Sequence, residues 1–171
     1  PKLYKNEVKN MIIFDKKQNV IRLDNGSILY LIYINSEGYL ETVYFGKRIN
    51  EFDVSLSRPT GGEESTIYSI SENREVEYPD GYKYGLAPVE LSVHASRDKR
   101  GAPLIIKREN GSYVTDFIYV SHKIYKGIKN LDNLPCAHGE NCSTVEFLLK
   151  ERTRELYVKH RVTIFDDKDI I

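Results

Sequence analysis

Short apolar runs rich in β-branched and aromatic residues, cut by Asn, Gly, Pro and Asp, recur along the whole chain. The clearest pattern lies in the last third. Residues 143–150 alternate, with Val145, Phe147 and Leu149 on one face. Glu151-Arg-Thr-Arg-Glu155 turns the chain. In the return, Leu156, Val158, His160, Val162 and Ile164 share a face, while Tyr157, Lys159, Arg161 and Thr163 point the other way. A period of two predicts antiparallel strands with one wet side. His160 falls on the apolar face, where a histidine reads more readily as a core-edge ring with a hydrogen-bond partner than as a catalytic group or a ligand.

The first third follows the same logic. Met11 to Phe14 are apolar, and a β-rich run over 19–24 precedes Asn25-Gly26 and a second run over 27–34. Asn-Gly between two such runs predicts a hairpin, with positive φ at both turn residues in type I′. Asn35-Ser-Glu-Gly38 marks another turn before a third strand over 39–45, closed by Gly46-Lys47. Three strands at hairpin spacing predict a meander. Residues 48–85 differ. They hold Arg58-Pro-Thr-Gly-Gly and Tyr78-Pro-Asp-Gly81, both turn chemistry, with room for one short strand over 65–70. A long loop in a compact domain is commonly functional, and an exposed interaction surface is expected there.

Further strands are expected over 88–94, with Val89, Leu91 and Val93 on one face, and over 102–107, separated by a charged turn at 97–101. Asn110-Gly111 is a second hairpin signal. It leads into Tyr113-Val-Thr-Asp-Phe-Ile-Tyr-Val-Ser-His-Lys-Ile-Tyr-Lys-Gly127, whose composition suits a pleated strand pair. Helical period is absent from every long stretch. Short strands with Gly, Pro and Asn turns imply an all-β sandwich, its two sheets roughly 10 Å apart.

Composition narrows the function. The chain has 171 residues, with 25 basic and 25 acidic side chains and a formal net charge of zero. A dedicated nucleic-acid or anionic-membrane binder should carry a basic excess or patch, so neither partner is expected. No apolar run approaches the ~20 residues of a membrane helix. The start lacks the apolar core of a signal peptide, and the expected compartment is the cytoplasm. Because residue 1 is Pro rather than an initiator, an excised export signal stays open. Phosphate-loop, dinucleotide, serine-hydrolase and metalloprotease motifs are missing, and no cofactor is expected.

Two candidate constellations remain. Cys136-Ala-His138-Gly-Glu-Asn-Cys142 sets a His between two Cys, but a zinc site needs a fourth ligand and a more standard spacing. Two ordinary loop thiols are the plainer reading. Asp166, Asp167 and Asp169 cluster near the C-terminus without the glycine and glutamate of a calcium loop, and read as a solvated turn. No metal site is expected. Carboxylates are too plentiful for a catalytic pair to be chosen by composition. Trp is absent, which removes the best stacking platform for a sugar and leaves Tyr.

Several blocks, taken in order, resemble the N-terminal domain of glycoside hydrolase family 36, the bacterial α-galactosidases. They are Gly38-Tyr-Leu-Glu-Thr-Val-Tyr-Phe-Gly-Lys47; Glu90-Leu-Ser92 with Asp98-Lys-Arg100 and Pro103; Gly111-Ser-Tyr-Val-Thr-Asp-Phe117; His122-Lys-Ile-Tyr-Lys-Gly127; Leu131-Asp-Asn-Leu-Pro135; and Thr163-Ile-Phe-Asp-Asp-Lys-Asp-Ile-Ile171. The resemblance covers about 19–171, with 1–18 as an N-terminal lead-in. It departs from the family pattern at Ser96-Arg97, at Lys99 where the family has an aromatic, and over 48–85, which aligns poorly.

The resemblance implies an antiparallel β-supersandwich of the galactose mutarotase-like type, with little or no helix. It implies a parent enzyme that hydrolyses terminal α-galactosides such as melibiose and raffinose with retention. The two reactive aspartates of such an enzyme belong to a catalytic barrel outside this chain, with the geometry of a retaining pair. The implied role here is therefore non-catalytic: supporting a homo-oligomer, typically a tetramer, and shaping the galactose pocket. Asp53 is the positional candidate for a sugar contact across a subunit interface, since a carboxylate accepts hydrogen bonds from hydroxyls. Because 48–85 aligns poorly, Asp53 as a plain loop residue is the plainer reading. A free-standing carbohydrate-binding β-sandwich is the alternative reading of the whole.

Overall fold

The computed structural model describes residues 11–54, 88–93, 101–135 and 137–171. The expected strand over 65–70, most of the charged turn over 97–101, and Cys136 lie outside them. The described residues form two antiparallel sheets, each in chain order. The first contains β1 (Ile12–Asp15), β2 (Val20–Asp24), β3 (Ile28–Ile34) and β4 (Leu40–Lys47). The second contains β5 (Phe117–Lys126), β6 (Cys142–Glu151) and β7 (Tyr157–Phe165). The fold is all-β, as the alternation predicts. The first sheet begins ahead of residue 19, inside the expected lead-in.

One shared core joins the layers. Ile12, Ile21, Leu23, Ile32 and Ile34 of the first sheet pack with Phe117, Val145, Phe147, Leu149, Val162 and Ile164 of the second. The residues from β6 and β7 are the ones their period of two places on one face. A second cluster covers the outer face of the first sheet, where Leu29 and Leu31 of β3 and Val20 of β2 meet Val54, with Ile49 and Phe52 packed against them. The segment after β4 thus folds back over its own sheet. A bulge in β4 assists: Leu31 pairs Tyr44 and Ile32 pairs Thr42. Val43, the extra residue, joins Tyr44 on the outer cluster, while the Thr42 hydroxyl remains 3.0 Å from that of Tyr30.

The first turn differs from its expected type. Gly26 has φ 99° but Asn25 is not left-handed, so this is no type I′ turn. Asn25 Oδ1 accepts the N–H groups of Ser27 and Ile28 at 2.9 Å, and Asp24 Oδ1 accepts that of Gly26 at 2.8 Å. Side-chain acceptors build the turn, a role for which Asx residues are suited. At the next turn Gly38 has φ 85°, and its carbonyl oxygen accepts the Tyr119 N–H at 2.7 Å. A Cβ there would stand 3.3 Å from Ile118 Cβ, so the glycine permits both the backbone conformation and the approach of β5.

Three expected strands are corrected. Residues 88–93 form an isolated bridge to β4, Val89 opposite Glu41, and a second bridge joins Val93 to Leu104 in the parallel sense. Residues 102–107 contribute that bridge alone. Residues 113–127 supply one strand, β5, rather than a pair. Its partner is β6, reached through the 127–141 connection, and a bulge leaves Val120 out of register. In each case propensity was adequate, but a strand exists only where a neighbouring strand satisfies its N–H and C=O groups.

Candidate functional site

The carboxylates decide what chemistry the described residues can do. On the outer face of β6, Glu146 lies between neighbours on both sides: Arg161 Nε at 2.6 Å from β7 and Lys123 Nζ at 2.9 Å from β5. The register pairs Glu146 with both residues. Hydrogen bonds from Arg161 and Lys123 hold its carboxyl down to about 2. Glu151, at the end of β6, is buried with Arg108 Nη2 at 2.9 Å and the Thr153 hydroxyl at 2.8 Å. Burial alone would raise its pKa, but the Thr153 and Arg108 interactions outweigh it and lower it. Asp24 behaves likewise, with Arg22 at 2.9 Å, Arg48 at 3.0 Å and the Gly26 N–H opposing the effect of burial.

Glu90 links the two sheets. Its side chain is 6% exposed and sits where the 88–93 segment crosses the seam between the layers. It accepts hydrogen bonds from the hydroxyls of Tyr30 on β3 and Thr42 on β4. Its other oxygen stands 3.4 Å from His160 Nε2 on β7. Burial pushes the Glu90 carboxyl up, and the contacts with His160, Thr42 and Tyr30 together hold it below the usual range. The His160 ring stacks on Phe147 with centroids 6.2 Å apart, and His122 lies near the same ring. His160 is thus a core-edge histidine with a partner. Burial lowers the His122 pKa, while its Nδ1 is 2.7 Å from the Tyr119 hydroxyl.

A glycosidase general acid needs a carboxyl whose pKa is raised. Asp24, Glu90, Glu146 and Glu151 are all shifted the other way, each by structural partners. These four are therefore built to stay ionised and hold elements together. Glu41, also buried, accepts the Asn35 side-chain amide at 2.6 Å in the β3–β4 turn.

The candidates from sequence fall apart in space. Asp53 is exposed, just before Val54, on the segment that covers the outer face of the first sheet. Cys142 is a buried thiol facing the Gly139 carbonyl at 3.5 Å, and burial and Asp167 raise its pKa against the effect of Lys168. His138 meets Lys168 Nζ through its backbone carbonyl at 3.4 Å. Among the described residues no group of three His, Cys, Asp or Glu is arranged to hold a metal ion. The terminal acidic turn has a structural use instead. The Asn25 side-chain amide points to the carbonyls of Phe165 at 3.1 Å and Lys168 at 3.0 Å and to Asp169 Oδ1 at 3.2 Å. The Glu90 cluster escaped sequence reasoning because the pairs in contact are 12 to 70 residues apart in the chain. The available signal was a single charged residue in the 88–93 run, where Val89, Leu91 and Val93 alternate with Glu90 and Ser92.

Known proteins share this arrangement. Residues 38–171 match the Glycosyl hydrolase family 36 N-terminal domain. α-Galactosidase AgaA of Geobacillus stearothermophilus is 26% identical over 165 residues, covering 94% of this chain and 22% of AgaA. α-Galactosidase Mel36A of Lactobacillus acidophilus is 26% identical, covering 95% of this chain and 22% of Mel36A. The crystal structure of α-galactosidase AgaB from G. stearothermophilus superposes with a TM-score of 0.71 at 25% identity, over 91% of this chain and 20% of AgaB. An AgaA variant in complex with stachyose superposes with a TM-score of 0.69 at 26% identity, over 86% of this chain and 20% of AgaA. The chain thus spans about a fifth of the length of these relatives. With two antiparallel sheets in the same arrangement and the matched span running from the β3–β4 turn to residue 171, the chain belongs to the glycosyl hydrolase family 36 N-terminal domain family.

Proposed function

We propose that this chain is the non-catalytic N-terminal domain of an α-galactosidase acting in the cytoplasm. The parent hydrolyses terminal α-galactosides such as melibiose and raffinose with retention, and the domain supports a homo-tetramer and shapes the galactose pocket. The observation that carries this reading is the family match over 38–171, together with superposition on about a fifth of AgaB. AgaA variants bound to stachyose and to raffinose support the substrate class. The structural engagement of Asp24, Glu90, Glu146 and Glu151 supports the non-catalytic role.

The test is an assay of galactose release from p-nitrophenyl α-galactoside and raffinose by the 171-residue chain and by the product of its whole gene. The expected result is turnover by the whole product and none by the chain. Turnover by the chain alone, or a whole product without α-galactosidase activity, overturns the proposal. Galactose binding by the isolated chain would favour a free-standing carbohydrate-binding module. Asp53 is included as a sugar contact across a subunit interface. In the whole product, Asp53→Ala is expected to raise KM about tenfold or more, the loss of a hydrogen bond to a charged acceptor. An unchanged KM would make Asp53 a plain loop residue.

A further inference from the structure

We infer that Glu90 is the register pin of the strand-like segment that bridges to β4, selecting one alignment by joining that segment to both sheets. The described backbone pairing with β4 is short: around the bridge of Val89 with Glu41, the Thr42 N–H donates to the Pro88 carbonyl, and the Glu90 N–H donates to the Leu40 carbonyl, both at 2.8 Å. A slip by one residue would exchange the faces of all its side chains. Leu91 and Val93 pack on the shared core, yet apolar packing is non-directional and tolerates alternatives.

Glu90 supplies the missing direction. Its two oxygens are engaged from three strands, by Tyr30 and Thr42 in the first sheet and His160 in the second. In a slipped register the carboxylate would leave these partners, and another side chain would meet the two hydroxyls. Because an ion buried without partners is strongly disfavoured, the energy gap between registers arises at this residue. The titratable groups that face Glu90 among the described residues are Tyr30 from β3 and His160 from β7, while Thr42 from β4 is polar without titrating. The inference concerns the fold and does not depend on what the parent hydrolyses.

The variant Glu90→Leu separates alignment from stability. Tyr30 and Thr42 retain each other at 3.0 Å, so an apolar side chain leaves them partnered. Replacing a buried ion with an apolar residue is often neutral for global stability. The expected result is an unfolding midpoint close to that of the wild type, with amide exchange about tenfold faster at Thr42 and residue 90 and unchanged at Ile32 and Val145. Full protection at both amides in Glu90→Leu would overturn the inference, since packing of Leu91 and Val93 would then suffice. If Glu90→Leu does not fold, His160→Gln and Thr42→Val read the same two amides, and no acceleration in either also overturns it. A pH series supplies the second readout. In the wild type, protection at Thr42 and Glu90 should fall as pH drops below the ordinary glutamate range, and Glu90→Gln should lack that step. A step that persists in Glu90→Gln assigns the titration elsewhere and overturns the inference.

Discussion

The outer faces of the two sheets are covered in different ways. The first sheet presents Leu29 and Leu31 outward and closes over them with Ile49, Phe52 and Val54 from its own following segment. The second presents Glu146 outward and closes over it with Lys123 and Arg161 from the flanking strands. Both leave the central strand buried on two faces: along β6, residues 142–147 are all buried, the polar Ser143, Thr144 and Glu146 included. An apolar face needs a covering segment from elsewhere in the chain. A charged face can cover itself, since long side chains lay their methylenes over the sheet while their heads remain paired. The difference should appear as a difference in pH and salt sensitivity.

The largest effect expected is one that removes what both sheets share. Phe147→Ala deletes a fully buried ring that packs against His122 and His160. It should cost about 3–5 kcal/mol in denaturant unfolding. A smaller loss would mean that the layers close around the gap. Leu29→Ala, on the outer apolar cluster, should cost about 2–4 kcal/mol, with little dependence on pH or salt. A loss that varies strongly with pH would break the contrast between the faces.

Glu146→Gln should cost about 1 kcal/mol near neutral pH, because the Lys123 side chain is 58% exposed and solvent screens its share. Its signature lies in acid. The Glu146 carboxyl is held at about 2 against an ordinary 4.5. A depressed folded-state pKa contributes stability that is complete above the ordinary value and lost as pH falls through the lower one. The difference between wild type and Glu146→Gln should therefore shrink between about pH 5 and pH 2. A constant difference across that range would show that the ion pairs contribute nothing measurable. The most local effect belongs to Asn25→Ala, which frees the terminal turn from the β2–β3 turn and also removes the acceptor of the Ser27 and Ile28 N–H groups. It should cost about 1 kcal/mol and speed hydrogen exchange locally at the Asp166 amide. Unaltered exchange there would assign the turn's order to the Asp166 N–H and the Asn141 carbonyl, 2.9 Å apart.

The contrast between the sheets also shows where sequence reading succeeds. Alternation over β6 and β7 correctly separates Val145, Phe147, Leu149, Val162 and Ile164 from the outer residues, because strand period is a local property. It does not foresee that Glu146 is buried. That follows from cross-strand pairing with Lys123 and Arg161, which are 23 residues upstream and 15 residues downstream in the chain. The Asn25-Gly26 turn was legible as a turn. Its type was not, because Asn25 also answers to Phe165 and Lys168 some 140 residues away.

By itself, the order of residues determined that the chain is all-β, where most strands lie, and which family it belongs to, since these rest on local period and on blocks in sequence. Tertiary structure alone decided which candidate strands find a partner, and it left 88–93 and 102–107 as bridges. It also placed Glu90 between Tyr30, Thr42 and His160, and separated Asp53, Cys142 and Asp169 into unrelated surroundings. The physical reason is the same in each case. A period is carried by neighbours in the chain, whereas a hydrogen-bond partner is supplied by whatever the packed layers bring within about 3 Å.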